Sequence, residues 1–316
     1  MTAVRNDRGP DAGAVRHYGD PLREQRRLEA GEASVDLSHR PVFSISGPDR
    51  LSWLNNVTSQ DFTALPPGVP MTAYILDHQG HIAHVLGGVD DGETLWAHTE
   101  PGRDQALLAW LRRMVFAARV EIAERPELKL IMPARAAGSE GAWAPTPVPA
   151  TAVEEALGEV RAGTWAVEAL RIAAGQPRTF LDTDEKAIPN ELANPDGDLL
   201  GAATHLAKGC YPGQETVARI YNLGRPPRRL TLLHLDGSAD ALPAVGADVL
   251  ADGKVVGRMG TSERHYELGP VGLALLKRQL PVDAALEVDG IAAAQEVLVD
   301  PEAGLHWRPA PGLGRR

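Results

Sequence analysis

The sequence predicts an α+β protein whose last part is all β. Ahead of Arg225-Pro226-Pro227-Arg228-Arg229, strand-like and helix-like stretches are mixed without the regular β-α alternation of a doubly wound parallel sheet. Ala73 to Leu76 and Ile82 to Leu86 flank Asp77-His78-Gln79-Gly80, the signature of a hairpin with a four-residue loop, which only an antiparallel layer needs. After Arg229 come five short apolar runs separated by Gly, Pro or Asp, a spacing that suggests a small barrel or sandwich of about 80 residues.

Taken in order, residues 1–20 are polar and Gly-rich and read as a tail. Asp20-Pro21 supplies an N-cap and a proline at the first helical position, and Gly31 a stop, so Pro21 to Ala30 is expected to be a helix. Val42 to Ile45 reads as a strand, and Leu51, Leu54 and Val57 give the stretch from Arg50 helical spacing. The hairpin and a strand at Thr94 to Ala97 follow. Ala106, Leu107, Trp110, Leu111, Met114 and Val115 form one stripe of a helix between Gly102 and Ala117, and Val120 to Ala123 is a further strand. Residues 133–150, rich in Pro, Ala and Gly, read as a linker or surface insertion. Val153 to Ile172 is expected to run helix, then strand; a turn-rich stretch from Pro177 to Leu200 follows. The closing strands are Leu230 to Leu235, Asp248 to Leu250, Val255 to Gly260, Val271 to Leu276 and Ala285 to Val288. The expected organisation is a tail and helix (1–30), an α+β domain (31–224), a barrel (225–306) and a tail (307–316).

A chain of 316 residues has ample length for a sizeable core. Its net charge of −10 argues against non-specific nucleic-acid or membrane binding by the whole surface. One cysteine permits no internal disulfide and no cluster or zinc site made from this chain's thiols alone. No window approaches the roughly 18 consecutive apolar residues of a membrane span, so a soluble, cytoplasmic protein is expected.

That single cysteine stands in Lys208-Gly209-Cys210-Tyr211-Pro212-Gly213-Gln214-Glu215, the most informative stretch of the chain. A lone cysteine is ordinarily a small inert core residue, but Gly-Cys-Tyr-Pro-Gly is a recipe for a presented group. Pro212-Gly213 suits the central positions of a type II turn, where Pro sets φ and Gly takes the positive φ. Gln214 to Ile220 then reads as a short helix. Cys210 would lie near that helix's N-terminus and near the Lys208 ammonium, both of which favour thiolate.

Between Lys208 and Arg229 lie five fixed positive charges (Lys208, Arg219, Arg225, Arg228, Arg229) against one negative, Glu215. Such a run is either a solvated linker or a focus for an anionic ligand, and its adjacency to the cysteine favours the ligand. His78, His81 and His84 do not make a metal site, because positions 81 and 84 on a strand face opposite ways. There is no phosphate-binding glycine fingerprint and no nucleophile elbow. Glu191, in Ile188-Pro189-Asn190-Glu191-Leu192, could accept two parallel N–H bonds from a 2-amino-4-oxo pyrimidine edge, though alone it reads as a surface acid.

Lys208 to Glu215 resembles the K-G-C-Y-x-G-Q-E signature of the YgfZ family of folate-binding proteins, relatives of the glycine-cleavage T-protein. Val35 to Arg40, Ser46 to Leu54, Leu170-Arg171-Ile172 with Gly175, and Pro189 to Glu191 match further family segments in order. The octapeptide is highly specific and the others are weak singly; together they cover roughly residues 31 to 300. The resemblance implies a T-protein-like folate-binding fold of two α+β portions plus a C-terminal β-barrel around a folate pocket. It implies tetrahydrofolate or a derivative as ligand, with Glu191 on the pterin, Arg219 on the tail carboxylates, and Tyr211, Gln214 and Glu215 of the motif as further cofactor-binding residues. It implies a role in assembling or repairing iron–sulfur clusters that depends on Cys210, assisted by Lys208, with any cluster transient and shared with a partner.

One departure matters. T-proteins carry an aspartate after the hairpin glycine, whereas here the run is Gly80-His81-Ile82-Ala83-His84-Val85, so the catalytic position is Ala83 or His84. Neither offers the fixed negative charge that would hold a cationic aminomethyl group. The reading is therefore a folate-binding accessory protein for iron–sulfur biogenesis whose partners are assembly proteins or client enzymes. The alternatives are a tetrahydrofolate-dependent one-carbon transferase and a regulator linked to tRNA modification.

Overall fold

The computed structural model describes residues 3–135 and 144–306. Strands β1 (Val4–Arg5) and β2 (Val15–His17) pair antiparallel, so the segment expected to be an unstructured tail is a hairpin. Helix α1 (Pro21–Glu29) starts as expected, with Asp20 Oδ1 accepting from Arg23 N–H. Next come β3 (Ser34–Asp36), β4 (Val42–Ser46), α2 (Arg50–Val57), β5 (Pro70–Leu76), β6 (Ile82–Asp90), β7 (Thr94–His98), α3 (Asp104–Arg113), β8 (Glu121–Glu124) and β9 (Leu128–Met132). Part of the expected linker is also ordered: β10 (Thr146–Pro149) pairs with β9, while positions 136–143 lie outside the described residues.

The stretch expected to run helix then strand is instead α4 (Val153–Leu157), β11 (Arg161–Ala162) and α5 (Thr164–Ala173). Gly158, at φ +61, ends α4, and Gly163 lets Arg16 pass so closely that a Cβ would stand 2.1 Å from its carbonyl oxygen. Two glycines therefore break one apolar stretch into three elements. Short strands β12 (Pro195–Asp196), β13 (Leu199–Leu200) and β14 (Thr204–His205) lead to α6 (Gln214–Leu223).

Sheet order β5-β6-β7-β4-β8 is antiparallel throughout, and its inner face packs on α2 and α3 through Phe43, Ile45, Leu54, Ile75, Leu95, Leu107 and Leu111. Each such fully buried side chain stabilises the fold by about 1.5–3 kcal/mol. A second sheet, β10-β9-β3-β11, packs on α1 and α5 through Leu28, Val35, Leu130 and Val167. Finally β15 (Arg228–Leu235), β16 (Asp248–Ala251), β17 (Lys254–His265), β18 (Gly269–Lys277), β19 (Leu286–Val288) and β20 (Ile291–Val297) form a closed six-stranded barrel in the order β15-β18-β17-β16-β19-β20. The barrel's Leu230, Leu232 and Leu273 share a core with Leu76, Ile82, Tyr211 and Val217, which seats the cysteine segment between hairpin and barrel.

Among the described residues, no helix is long and apolar enough to cross a membrane.

Candidate functional site

The octapeptide folds locally as its residue types require. Gln214 N–H donates to Tyr211 C=O at 3.3 Å across Pro212-Gly213, and Gly213 takes φ +78, the geometry of a type II turn. Gly213 is also a close-approach residue, since a Cβ there would stand 2.5 Å from the Asp77 carbonyl oxygen and 3.0 Å from Gly80 Cα. The turn is thus wedged against the β5–β6 hairpin tip, where Asp77 accepts from Gln79 N–H and His81 N–H and contacts His81 Nδ1 at 3.0 Å. Tyr211 is buried beneath the turn, which pushes its phenol up to about 12, while Cys210 is exposed.

Lys208 differs from its expected role. Its Nζ donates to the carbonyl oxygens of Asn55, Thr58 (2.7 Å) and Gln60 (2.7 Å), so all three ammonium protons close the C-terminal end of α2. The ammonium lies 5.0 Å from the Tyr211 ring centroid, and burial pushes it down to about 8. It is a clamp on main chain, not the free cation the sequence set beside the thiol.

Next to this clamp lies a cavity of about 1230 Å³ bounded by the β5-β6-β7 face, the end of α5 and segments 60–65 and 189–205. Thr72, Gly87 and His98 face each other across three strands, on the side opposite the core residues Met71, Ala73, Leu86 and Ala97. Gly87 is needed because a Cβ there would stand 2.7 Å from His98 Cε1. Burial, with Arg40 nearby, pushes His98 down to about 4, so a neutral imidazole lines the wall. Two other lining residues carry buried polar atoms without a partner, Arg40 Nε and His205 Nδ1. Asp61 accepts three bonds on Oδ1, from Thr63 N–H, Thr63 Oγ1 and Ala64 N–H.

The sequence-predicted ligand residues do not converge on this cavity. Glu191 is fully buried, and its oxygens accept from Arg228 Nε and Nη2, both at 2.8 Å, and from Ile188 N–H. Its neighbours Pro189 and Leu192 line the cavity, but its carboxylate belongs to an ion pair that Asp184 extends at 2.6 Å from Arg228. Arg219 and Glu215 are exposed on α6, Gln214 Oε1 accepts from Tyr211 N–H, and Tyr211 is buried in the core between hairpin and barrel; neither these four nor Cys210 lines the cavity. Nor is the basic run a cationic patch. Arg228 is paired, Arg229 is fully buried against Thr231 and Gln295, Arg225 faces Glu302 at 3.8 Å, and Lys208 is clamped. Among the described residues no group of three or more His, Cys, Asp or Glu is placed to hold a metal ion.

Arg40, Asp61, His98 and His205 escaped the sequence reading. Only Gly87-Gly88 inside a strand pattern carried a local signal, since paired glycines there mark a close approach.

Comparison with known proteins places this geometry. Residues 228–300 match the family model described as "CAF17, C-terminal beta-barrel domain". The chain is 24% identical over 323 residues to an Arabidopsis thaliana protein named "Putative transferase At1g60990, chloroplastic", covering 88% of this chain and 72% of that one. It is 24% identical over 123 residues to an aminomethyltransferase of Nitrosococcus oceani, covering 36% of this chain and 32% of that protein. The crystal structure of glycine cleavage system aminomethyltransferase T from Bartonella henselae superposes with TM-score 0.73 at 16% identity, covering 96% of this chain and 95% of that one. The fold is therefore that of the aminomethyltransferase T-protein, two α+β portions and a β-barrel, as the sequence predicted.

Proposed function

We propose that this protein is a YgfZ-type folate-binding accessory factor for iron–sulfur cluster assembly or repair, with folate in the 1230 Å³ cavity and Cys210 as its functional thiol. The folate-binding portion is taken as residues 31–224 and the barrel as 225–306. The observation that carries the reading is an exposed cysteine on a wedged turn, in an aminomethyltransferase fold whose barrel matches the CAF17 type.

The cavity residues suit a folate. The volume exceeds the roughly 300–1,000 Å³ of drug-sized pockets, and a folate is a long ligand. Asp61 keeps its second oxygen for the pterin's 2-amino edge, and the Gly87-Gly88 floor admits a flat ring. Arg40 and His205 also line the cavity and bring a guanidinium and an imidazole to it for the ligand's polar groups. No carboxylate lies on the β6 residues that line the cavity, Gly87, Gly88 and Val89, and the strand's one carboxylate, Asp90, is held off the cavity by Arg50 at 2.8 Å, so β6 offers no charge to hold an aminomethyl cation.

Titration with 5-formyltetrahydrofolate, followed by tryptophan fluorescence, should saturate, and Asp61→Asn should weaken binding by about tenfold, the cost of one charge-assisted hydrogen bond. In cells lacking the native copy, Cys210→Ala should lower iron–sulfur enzyme activities while leaving folate affinity within twofold. Absence of any folate binding would overturn the reading.

A one-carbon transferase is the second reading, favoured by one relative's being named an aminomethyltransferase and another's a putative transferase. Turnover of 5,10-methylenetetrahydrofolate with an aminomethyl donor would establish it.

A further inference from the structure

One seam of main chain joins the cavity to the cysteine turn. On one side runs the end of α2 with residues 58–61; on the other runs 202–208. Ser59 Oγ donates to the Ala203 carbonyl, His205 N–H donates to Ser59 C=O at 2.9 Å, and Gln60 Nε2 donates to Ala202 C=O at 2.8 Å and Thr72 C=O at 3.0 Å. Lys208 closes the seam with its three carbonyl contacts. Gln60, Asp61, Ala202, Ala203 and His205 all line the cavity, so both edges of the seam are cavity wall.

Cys210 lies two residues beyond the clamp. Gly209, between them, has open space around it, with nothing within 4 Å of where a Cβ would stand. On the far side Gly213 is wedged against Asp77 and Gly80. The cysteine therefore sits in a short span held at Lys208 on one side and at the buried Tyr211 and Gly213 on the other, and of these anchors only Lys208 bonds to a residue that lines the cavity, Gln60.

We infer that Lys208 is a positioning residue that couples occupancy of the cavity to presentation of Cys210. The inference rests on the folate reading above. A ligand that touches Gln60 and His205 braces both edges of the seam and holds the span still; an unbraced seam lets the clamp open and Cys210 move on the open Gly209, while the turn beyond it stays wedged. Coupling of this kind is a free energy shared between two sites and acts equally in both directions.

Cys210 is the chain's one cysteine, so alkylation by iodoacetamide reads a single group. In the full chain, saturating 5-formyltetrahydrofolate, with saturation verified by tryptophan fluorescence, should slow alkylation by about fivefold or more, the lower bound of ordinary allosteric coupling. Lys208→Met should still bind folate, yet alkylate at a rate that folate no longer changes. Ser59→Ala, remote from the octapeptide, should reduce the folate effect and carries the test if Lys208→Met does not fold. A wild-type rate changed less than about twofold despite verified binding overturns the coupling alone, since it falls short of such coupling. So does a full folate effect in Lys208→Met or Ser59→Ala. Absence of folate binding overturns the coupling and the proposed function together.

Discussion

Gly213 does two jobs that no other residue type can do at once. It holds φ +78, which costs an L side chain roughly 1 kcal/mol, and it leaves room for the Asp77 carbonyl oxygen 2.5 Å from where its Cβ would be. The neighbouring atoms are main chain, or in one case the Leu76 Cβ at 2.8 Å, and none can swing aside. Gly213→Ala should therefore lower stability by about 2–4 kcal/mol, backbone strain and overpacking together. Gly209→Ala, with open space and no positive φ, should stay within about 0.5 kcal/mol. Urea midpoints of the two variants check the contrast, and equal midpoints would dissolve the wedge. The turn was legible because Pro-Gly chemistry is local. The destination of Lys208 was not, because its acceptors Asn55, Thr58 and Gln60 lie about 150 positions earlier, and no sequence pattern announces a main-chain acceptor. Glu191 and Arg228 misled for the same reason: their charges are answered by one another, and by Asp184, across the fold.

At the scale of elements, the N-terminal hairpin shows how tertiary charge can order a segment with little propensity of its own. Its strands are two and three residues long, too short to stand alone. They dock because Arg178 grips Asp11 with both terminal nitrogens, at 2.6 and 2.9 Å, while also meeting Glu100 at 2.6 Å and Glu168 at 3.0 Å. His39 adds a contact to Asp11 at 3.0 Å. Arg178→Met would leave three clustered carboxylates without their shared cation, a loss of about 3–5 kcal/mol. Hydrogen exchange should then show Asn6 and Gly13 amides, bonded across the hairpin to Ala14 and Asn6, losing protection before the sheets do. Retained protection would mean that the hairpin docks by other means. The pattern-rich elements α1, α2, β4, α6 and the barrel were readable from their caps, periodicity and turns. This hairpin and β20 were not. The run Ile291-Ala-Ala-Ala-Gln-Glu-Val has weak strand propensity and becomes a strand because it closes the barrel between β15 and β19.

Across the whole molecule, the same hairpin stitches the barrel to the α+β portions. Asn6 Nδ2 donates to Thr164 Oγ1 on α5 at 2.8 Å, and Arg16 reaches Glu263 on β17 at 3.1 Å. Glu263 of this stitch and Glu168 of the Arg178 cluster titrate in opposite senses. Burial alone would raise Glu168, but Arg171 and Arg178 hold it down to about 2; its stabilisation is complete above its ordinary 4.5 and is lost as pH falls from there toward 2. For Glu263 burial prevails over Arg16 and the Arg264 N–H, with Glu168 adding repulsion, and its carboxyl is pushed up to about 7. Between 4.5 and 7 the folded chain holds a proton that the unfolded chain has lost. Stability contributed by this group is therefore full below 4.5 and falls, by up to about 1.4 kcal/mol per pH unit, as pH rises toward 7. Glutamine is nearly isosteric with the protonated carboxyl. Glu263→Gln should accordingly match the wild type in urea unfolding at pH 4.5 and exceed it by more than about 1 kcal/mol at pH 8, where the wild type must bury an ionised carboxylate. If the wild type is instead the more stable protein at pH 8, the Arg16 pair outweighs burial, and the stitch between hairpin and barrel is ionic at neutral pH.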